Sequence, residues 1–350
     1  MMNDHSPLVS ILLPSKNPGR FLQERLRSIF AQSMTDWELI IVDSNSNDGS
    51  LEVFNDLVKK DSRVSLFIRP PGLYQAWNFA IEKARGKYVY FATADDTMSN
   101  TALEKMSNAL EEHPECDLCD SLLRLIDGNG NEIHEFDDMY VAHYWHLSYP
   151  RNQIHVREKP ADFFAHLGGK TVYTSITQLM IKRTLFDKTG YFPVDFGPSA
   201  DYMWGMRASL YANVIFLPEY LSAWRIHDAQ ATHGTDDKTR KNFFLMAQMA
   251  QQVLKETPQD IRKEGEKIVD LVIFKGYLLP AKKFNFPLMQ KLCLLYNAFL
   301  HTPLLTLEFL LTFLRYVWRI PPKFAPIYAY DKMIIHRTKR YYDGKIKYLQ

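Results

Sequence analysis

The sequence predicts an α/β protein built on a doubly wound sheet, parallel in outline, followed by a helical C-terminal region. Three observations carry this prediction. Four short apolar runs lie within the first hundred residues, each continuous rather than alternating, as in strands buried on both faces. Between them lie segments with a 3.6-residue apolar period, the mark of amphipathic helices. Each apolar run stops at polar or charged residues, and ligands in open sheets of this kind sit beyond the carboxyl ends of the strands.

The run "LVSILLPS" (8–15) ends in Pro and reads as a first buried strand. "GRFLQERLRSIFAQS" (19–33) then sets Leu22, Leu26, Ile29 and Phe30 on one helical stripe. "WELIIVDSNSNDGS" (37–50) is a second buried strand running into a polar loop, and "LEVFNDLVKKD" a helix. "RVSLFIRPPG" gives a third strand, "YQAWNFAIEKARG" a helix stopped by Gly, and "KYVYFATADD" a fourth strand. The polar strand ends are Ser15 with Lys16, Asp43, Arg69, and Asp95 with Asp96. Two adjacent acids behind an aromatic strand are costly to bury unless a cation or metal meets them. As simple helix-capping residues, one of them would suffice.

Composition narrows the classes. The chain has 350 residues, 46% hydrophobic and 13% aromatic, enough for one large domain with an appendage. A formal net charge of +2 gives no support to a nucleic-acid binder. Three cysteines imply no disulfide framework and fit a reducing compartment. "CDLC" (116–119) has the spacing of half a zinc site, but no second pair completes it, so ordinary partly buried thiols are expected. The N-terminus has no basic segment leading into a long apolar stretch and does not read as a signal peptide. "PSKNPGRF" after the first strand is neither GxGxxG nor a Walker loop. Any nucleotide phosphate would therefore need another source of charge relief, such as a divalent cation held by Asp95 and Asp96.

The opening strand "VSILLPSKN", the helix "FLQERLRSIFAQS" with "DWELIIVDSNSNDGS", and "PGLYQAWNFAIEKARGKYVYFATADD" resemble, in order and spacing, the family 2 glycosyltransferases over residues 8 to about 125. The resemblance implies the GT-A fold with a doubly wound mixed sheet, and places Pro14, Ser15 and Asp43 at a nucleobase pocket, with Arg69 a further candidate there. It implies that Asn78 sits on the helix beneath the donor, and that Asp95 and Asp96 match the acidic motif holding ribose and a divalent metal, Mn²⁺ or Mg²⁺. Two departures stand out: Ser44 and Thr93 occupy positions where the family often has acids. "FGPSADYMWGMRASLYAN" (196–213) resembles the acceptor-side motif, matching Asp201 to the general base and Arg207 to a helix Arg, with Ala200 in place of the usual Glu. "LSAWRIHDAQATHG" (221–234) resembles the segment that closes over the diphosphate, which makes Arg225 a phosphate partner and His227 a metal ligand or diphosphate contact.

The implied activity is inverting transfer of a sugar from a nucleoside-diphosphate sugar, UDP-linked first among the options with GDP and dTDP open, to a glycan or lipid-linked hydroxyl in polysaccharide biosynthesis. Structural readings stay open beside it. Asp43 suits an Asx-turn, Asp201 a helix cap, and His227 a packed strand end. A catalytically silent nucleotide-sugar-binding or scaffold subunit is the alternative that Thr93 and Ala200 motivate. A nucleotidyltransferase would need a Gly- and Lys/Arg-rich loop after the first strand, which is missing.

A catalytic domain is expected over 1–235 and a helical region over 236–350. The aromatic stretch 139–156, with His143, His146 and His155, suits either packing or an acceptor loop. The stretch 302–320 approaches spanning length but is interrupted by Glu308 and Arg315. Together with the basic tail from Lys332 it reads either as helices packed on the catalytic domain or as an amphipathic surface that meets anionic lipid. The expected location is the cytoplasm, peripheral at the inner face of the plasma membrane.

Overall fold

The structure is a computed structural model that describes residues 6–133, 152–168, 172–228, 237–278, 296–304, 306–307, 339–340 and 344–349. Its strands in chain order are β1 (Val9–Ser15), β2 (Trp37–Asp43), β3 (Val64–Ile68), β4 (Tyr88–Phe91), β5 (Thr97–Met98), β6 (Leu118–Ile126), β7 (His155–Arg157), β8 (Leu179–Lys182), β9 (Val214–Arg225) and β10 (Ile346–Tyr348). They form one ten-stranded sheet in the order β10-β7-β9-β6-β8-β4-β1-β2-β3, with β5 paired to β9. β4, β1, β2 and β3 are parallel neighbours, while β8 runs antiparallel to both β4 and β6 and makes the sheet mixed. The register of β1 on β2 runs from Val9 opposite Trp37 to Ser15 opposite Asp43, so the two strands deliver their polar ends side by side.

The helices are α1 (Leu22–Phe30), α2 (Ser50–Lys60), α3 (Leu73–Lys83), α4 (Ala102–Glu112), α5 (Ala161–Leu167), α6 (Leu185–Thr189), α7 (Ala200–Ala208), α8 (Asp237–Lys255) and α9 (Gln259–Leu278). The period-2 alternation of a strand divides them into two layers. Val9, Ile11, Leu13, Leu39, Ile41, Tyr88 and Tyr90 face α1 and α4. Leu12, Ile40, Val42, Val89 and Phe91 face the other way, onto α3 and α7. This double burial is why the first strands are apolar throughout. On the α3 and α7 side, Trp77, Phe91, Phe186, Phe192 and Trp204 form an aromatic cluster with ring centroids 5.1–6.3 Å apart. Trp204 also donates its indole N–H to Thr189 Oγ1 at 3.1 Å.

One boundary differs from the sequence reading. β4 stops at Phe91, so Asp95 and Asp96 occupy the turn between β4 and β5 rather than the strand end. The apolar run continues through Ala92 and Ala94, which hides the boundary. Beyond residue 236, α8 and α9 pack on the sheet domain, with Ala250, Val253, Leu254 and Ile268 against Phe163, Leu167, Met203 and Met206. Among the described residues no helix is long and apolar enough to cross a membrane. Residues 139–151 of the aromatic stretch, with His143 and His146, lie outside the described residues, as do 308–320 and 332–338.

Candidate active site

A cavity of about 730 Å³ opens at the carboxyl edge of the parallel strands. Pro14 and Lys16 from the end of β1, Tyr74 and Trp77 from α3, Asp95 and Asp96 from the acid turn, Asp201 from α7, and Trp224 and His227 from the end of β9 all line it. The structure therefore brings Pro14, Asp95, Asp96, Asp201 and His227 together from four separate segments. Ser15, Asp43, Arg69, Asn78 and Arg225 do not line the cavity, and each has an identifiable reason.

Ser15 and Asp43 sit one layer below. The Ser15 carbonyl accepts from the Ser44 N–H at 2.8 Å, which ties the two strand ends together. Asp43 is fully buried, and its carboxylate accepts from the Ser46 N–H at 2.8 Å and the Ser46 hydroxyl at 2.6 Å. Ser46 Oγ in turn accepts from the Asn17 N–H at 2.9 Å, while Asn17 Oδ1 accepts from the Asn47 N–H at 2.9 Å. These bonds hold Asn17 at φ +47°, a left-handed conformation that a non-glycine residue keeps only when its surroundings fix it. Asp43 thus makes the Asx-type turn and, through it, shapes the loop that carries Lys16. Arg69 lies exposed over the ring of Phe79, 4.6 Å from its centroid. The Asn78 amide is spent on both backbone groups of Phe192, donating at 2.8 Å and accepting at 3.0 Å, so it staples α3 to the segment after α6.

Arg225 differs most from expectation. Its guanidinium is 1% exposed, donating from Nε to the Asp95 carbonyl at 2.7 Å, from Nη1 to the Asp127 carbonyl at 3.0 Å and from Nη2 to Glu24 Oε2 at 2.6 Å. Its backbone N–H donates to Asp96 Oδ1 at 2.8 Å. Instead of pointing at a phosphate, Arg225 clamps α1, the acid turn, the segment after β6 and the end of β9 to one another.

The two acids are not equivalent. Asp96 is 1% exposed, and its second oxygen accepts from the hydroxyl of Thr93. Burial, and after it the charge of Asp95, push the Asp96 carboxyl up to about 7. With both oxygens engaged, Asp96 braces the turn from within, at the position where the resemblance implied a metal ligand. Thr93 supplies the hydroxyl that this brace needs. Asp95 faces the cavity, and its Oδ2 lies 3.0 Å from His227 Nε2. The His227 ring is held 4.8 Å from that of Phe21, which also receives Arg225 at 4.9 Å.

Asp201 stands in the first turn of α7, where the helix dipole favours a carboxylate. Its carboxylate accepts from the Tyr202 N–H at 2.8 Å and from the Tyr74 hydroxyl. Burial nevertheless raises it to about 6. Ala200 beside it is fully buried against the core, a place that would penalise an unpaired Glu. Arg207, nearly two turns further along α7, donates to the Thr189 carbonyl at 3.1 Å and meets Glu256 at 3.5 Å, so it fastens the helix instead of reaching the cavity.

Sequence reasoning passed over Tyr74, Phe21 and Glu24. Tyr74 lies inside the quoted "PGLYQAWNFAI", but nothing local marks it as the partner of Asp201. The His155 ring packs tilted against that of Phe216, 4.8 Å between centroids, and burial lowers it to about 4. Cys116 and Cys119 are buried, and the loss of solvent pushes the Cys116 thiol up to about 12.

Could this cavity hold a divalent cation? Among the described residues no group of three or more His, Cys, Asp or Glu side chains stands ready for a metal. The structure does pair one carboxylate, Asp95, with one imidazole, His227, at the cavity surface. A two-ligand set suits a cation whose remaining positions are filled by phosphate oxygens and water, the usual arrangement where metal arrives with a nucleotide.

Comparison with known proteins agrees with this architecture. The chain resembles the Staphylococcus aureus TarS fragment 1–349 in complex with UDP-GlcNAc, with a TM-score of 0.59 over 96% of this chain and 91% of that one at 15% identity. It also resembles the mannosyltransferase PcManGT of Pyrobaculum calidifontis in complex with GDP-Man and Mn²⁺, with a TM-score of 0.52 over 96% and 86% at 16% identity. The fold is therefore that of the GT-A glycosyltransferases. Residues 10–173 match the model of the family described as glycosyl transferase family 2. An uncharacterized glycosyltransferase of Haemophilus influenzae is 40% identical over 110 residues, 31% of this chain and 44% of that protein. A Bacillus subtilis protein named as a candidate teichuronic acid biosynthesis glycosyltransferase, TuaG, is 34% identical over 113 residues, 32% of this chain and 45% of that protein. The matches thus span less than half the length of these relatives.

Proposed function

We propose that this protein is an inverting glycosyltransferase that moves a sugar from a nucleoside-diphosphate sugar to a hydroxyl of a glycan or lipid-linked acceptor in polysaccharide assembly. One observation carries the reading: the Asp95–His227 pair and the Tyr74-bonded Asp201 line a single cavity. Charge relief for a leaving diphosphate and a base for an attacking hydroxyl are the two requirements of a single displacement. The UDP-GlcNAc and GDP-Man in the two structural neighbours support a nucleotide-sugar donor, and the Mn²⁺ of the second supports a divalent cofactor. The name of the Bacillus subtilis relative supports a cell-surface polysaccharide.

Each residue has a defined task. Asp95 and His227 would hold a divalent cation, which would supply positive charge to the leaving diphosphate. Asp96 and Arg225 keep the turn and the end of β9 in register so that those two side chains face each other. Asp201 accepts the acceptor's proton as its oxygen attacks the anomeric carbon from the face opposite the diphosphate, and Tyr74 holds that carboxylate in place. A single displacement with no enzyme nucleophile inverts the anomeric configuration. Incubation with a panel of UDP- and GDP-sugars, followed by determination of the product anomer, tests this; a product that retains configuration refutes the base role of Asp201.

The domain division at about residue 235 and a peripheral position at the inner face of the plasma membrane belong to the same proposal, the latter supported by the basic C-terminal sequence. Flotation with anionic vesicles checks it. Equal flotation of the full chain and a chain truncated after residue 285 contradicts it.

A further inference from the structure

Behind residues 174–176 of the cavity wall lies a buried cluster of charges that the proposed chemistry does not use. Arg157 of β7, whose side chain is 0% exposed, donates from Nη2 to Asp120 Oδ2 at 2.8 Å and from Nε to both oxygens of Asp162 at 3.0 Å. Gln178 carries this arrangement outward, donating from Nε2 to Asp120 Oδ1 at 2.6 Å and accepting at Oε1 from the Ser175 N–H at 3.1 Å. On its other side, Asp162 accepts from the Tyr173 hydroxyl at 3.1 Å. Thr174, Ser175 and Ile176 line the same cavity as Asp95 and Asp201. Tyr173 and His166 also pack against Gly205 of α7, where an added Cβ would come within 3.3 Å of the Tyr173 ring. One buried cation between two acids therefore underlies both the wall and the helix that carries Asp201.

A buried group of this kind is a poor source of stability, because desolvating three charges offsets their attraction, and apolar residues of equal volume often do as well. What it does supply is direction. The planar guanidinium fixes two carboxylates in one geometry, and Gln178 passes that geometry to a backbone N–H of the wall.

We infer that Arg157 is a positioning residue for the part of the cavity that receives the donor's sugar, acting through Asp120 and Gln178 on residues 174–176. The inference rests on the glycosyl-transfer reading of the same cavity. Residues 174–176 line the same cavity as Asp201, and the Tyr173 end of the cluster packs on the helix that carries it, so the wall is assigned to the side where the sugar would meet the base.

An exchange of polar groups tests this without emptying the core. Gln178→Glu sets a carboxylate against Asp120 and breaks the relay. The double variant Asp120→Asn with Gln178→Glu restores it at the original total charge, because the Asn amide donates to the new carboxylate while its carbonyl accepts from Arg157. The contact from Gln178 Nε2 to the Ser121 carbonyl, 3.2 Å, is lost in both variants and so does not distinguish them. Affinities for UDP and UDP-N-acetylglucosamine, and for GDP and GDP-mannose, are measured by calorimetry with Mn²⁺, alongside melting temperatures. The expected result is that Gln178→Glu changes nucleotide affinity by no more than about twofold, weakens nucleotide-sugar affinity by at least about fivefold, and is reversed in the double variant. Equal weakening of both ligand types in step with a lower melting temperature, an unchanged Gln178→Glu variant, or a wild type that binds sugar-bearing and bare nucleotides equally would each overturn the inference. A folded wild type that binds none of the four ligands would instead overturn the transfer reading beneath it.

Discussion

His227 Nε2 and Asp95 Oδ2 lie 3.0 Å apart across 132 residues of sequence, joining the acid turn to the end of β9 at the cavity surface. The pair exists because Arg225, two residues before His227, is bonded through its side chain to the Asp95 carbonyl and through its backbone to Asp96. If this pair holds the cation, His227→Ala and Asp95→Asn each weaken Mn²⁺-dependent nucleotide binding by about tenfold or more, while metal-free binding changes little. Titration of UDP and GDP with and without Mn²⁺ measures this. Variants with an intact metal increment would exclude the pair as ligands.

Asp201 gives a signed pH dependence. Burial raises its carboxyl to about 6, so below that pH it is protonated and cannot take up the acceptor's proton. Transfer should therefore rise with pH along a limb centred near 6 and reach a plateau above it. Because the Tyr74 hydrogen bond favours the charged form, Tyr74→Phe should move the limb to higher pH. Asp201→Asn should retain nucleotide binding and abolish transfer. Rates measured from about pH 4.5 to about 8.5, which brackets that limb, provide the check. A flat profile with an active Asn variant would remove Asp201 from the chemistry.

Arg225 and Glu24 predict contrasting stabilities. Arg225 is 1% exposed and joins four segments, so Arg225→Met strands the partners of a buried cation and should cost about 3 kcal/mol. Glu24 is 45% exposed on the outer side of the same pair, and Glu24→Gln should cost under about 1 kcal/mol. Denaturant unfolding of the two variants gives both numbers. Similar losses would mean that Arg225 is not the internal clamp described above.

The parts of the fold set by short-range pattern could be read from the sequence, and the parts set by distant partners could not. β1 and β2 are apolar on both faces because helices cover both, and that produces the unbroken runs from which they were read. β5 has only two residues and exists through its pairing with β9, so no local period announces it. Asp95, Asp201 and His227 were singled out by residue type and by resemblance. Their arrangement depended on contacts that a linear reading cannot see, such as Glu24 with Arg225, 201 residues apart, and Asn78 with Phe192, 114 apart. The same distance effect hid the contacts of Arg225, because a lone Arg in "WRIH" looks available until its acceptors arrive from three other segments.

The central claim is that the cavity takes a nucleoside diphosphate through a cation held by Asp95 and His227. A calorimetric titration of UDP, GDP and dTDP into the wild-type protein, each with and without Mn²⁺, tests it most directly. The account predicts that one of the three binds, and binds more tightly with the metal. Absence of binding by all three in a protein shown to be folded, or binding indifferent to Mn²⁺, would contradict it.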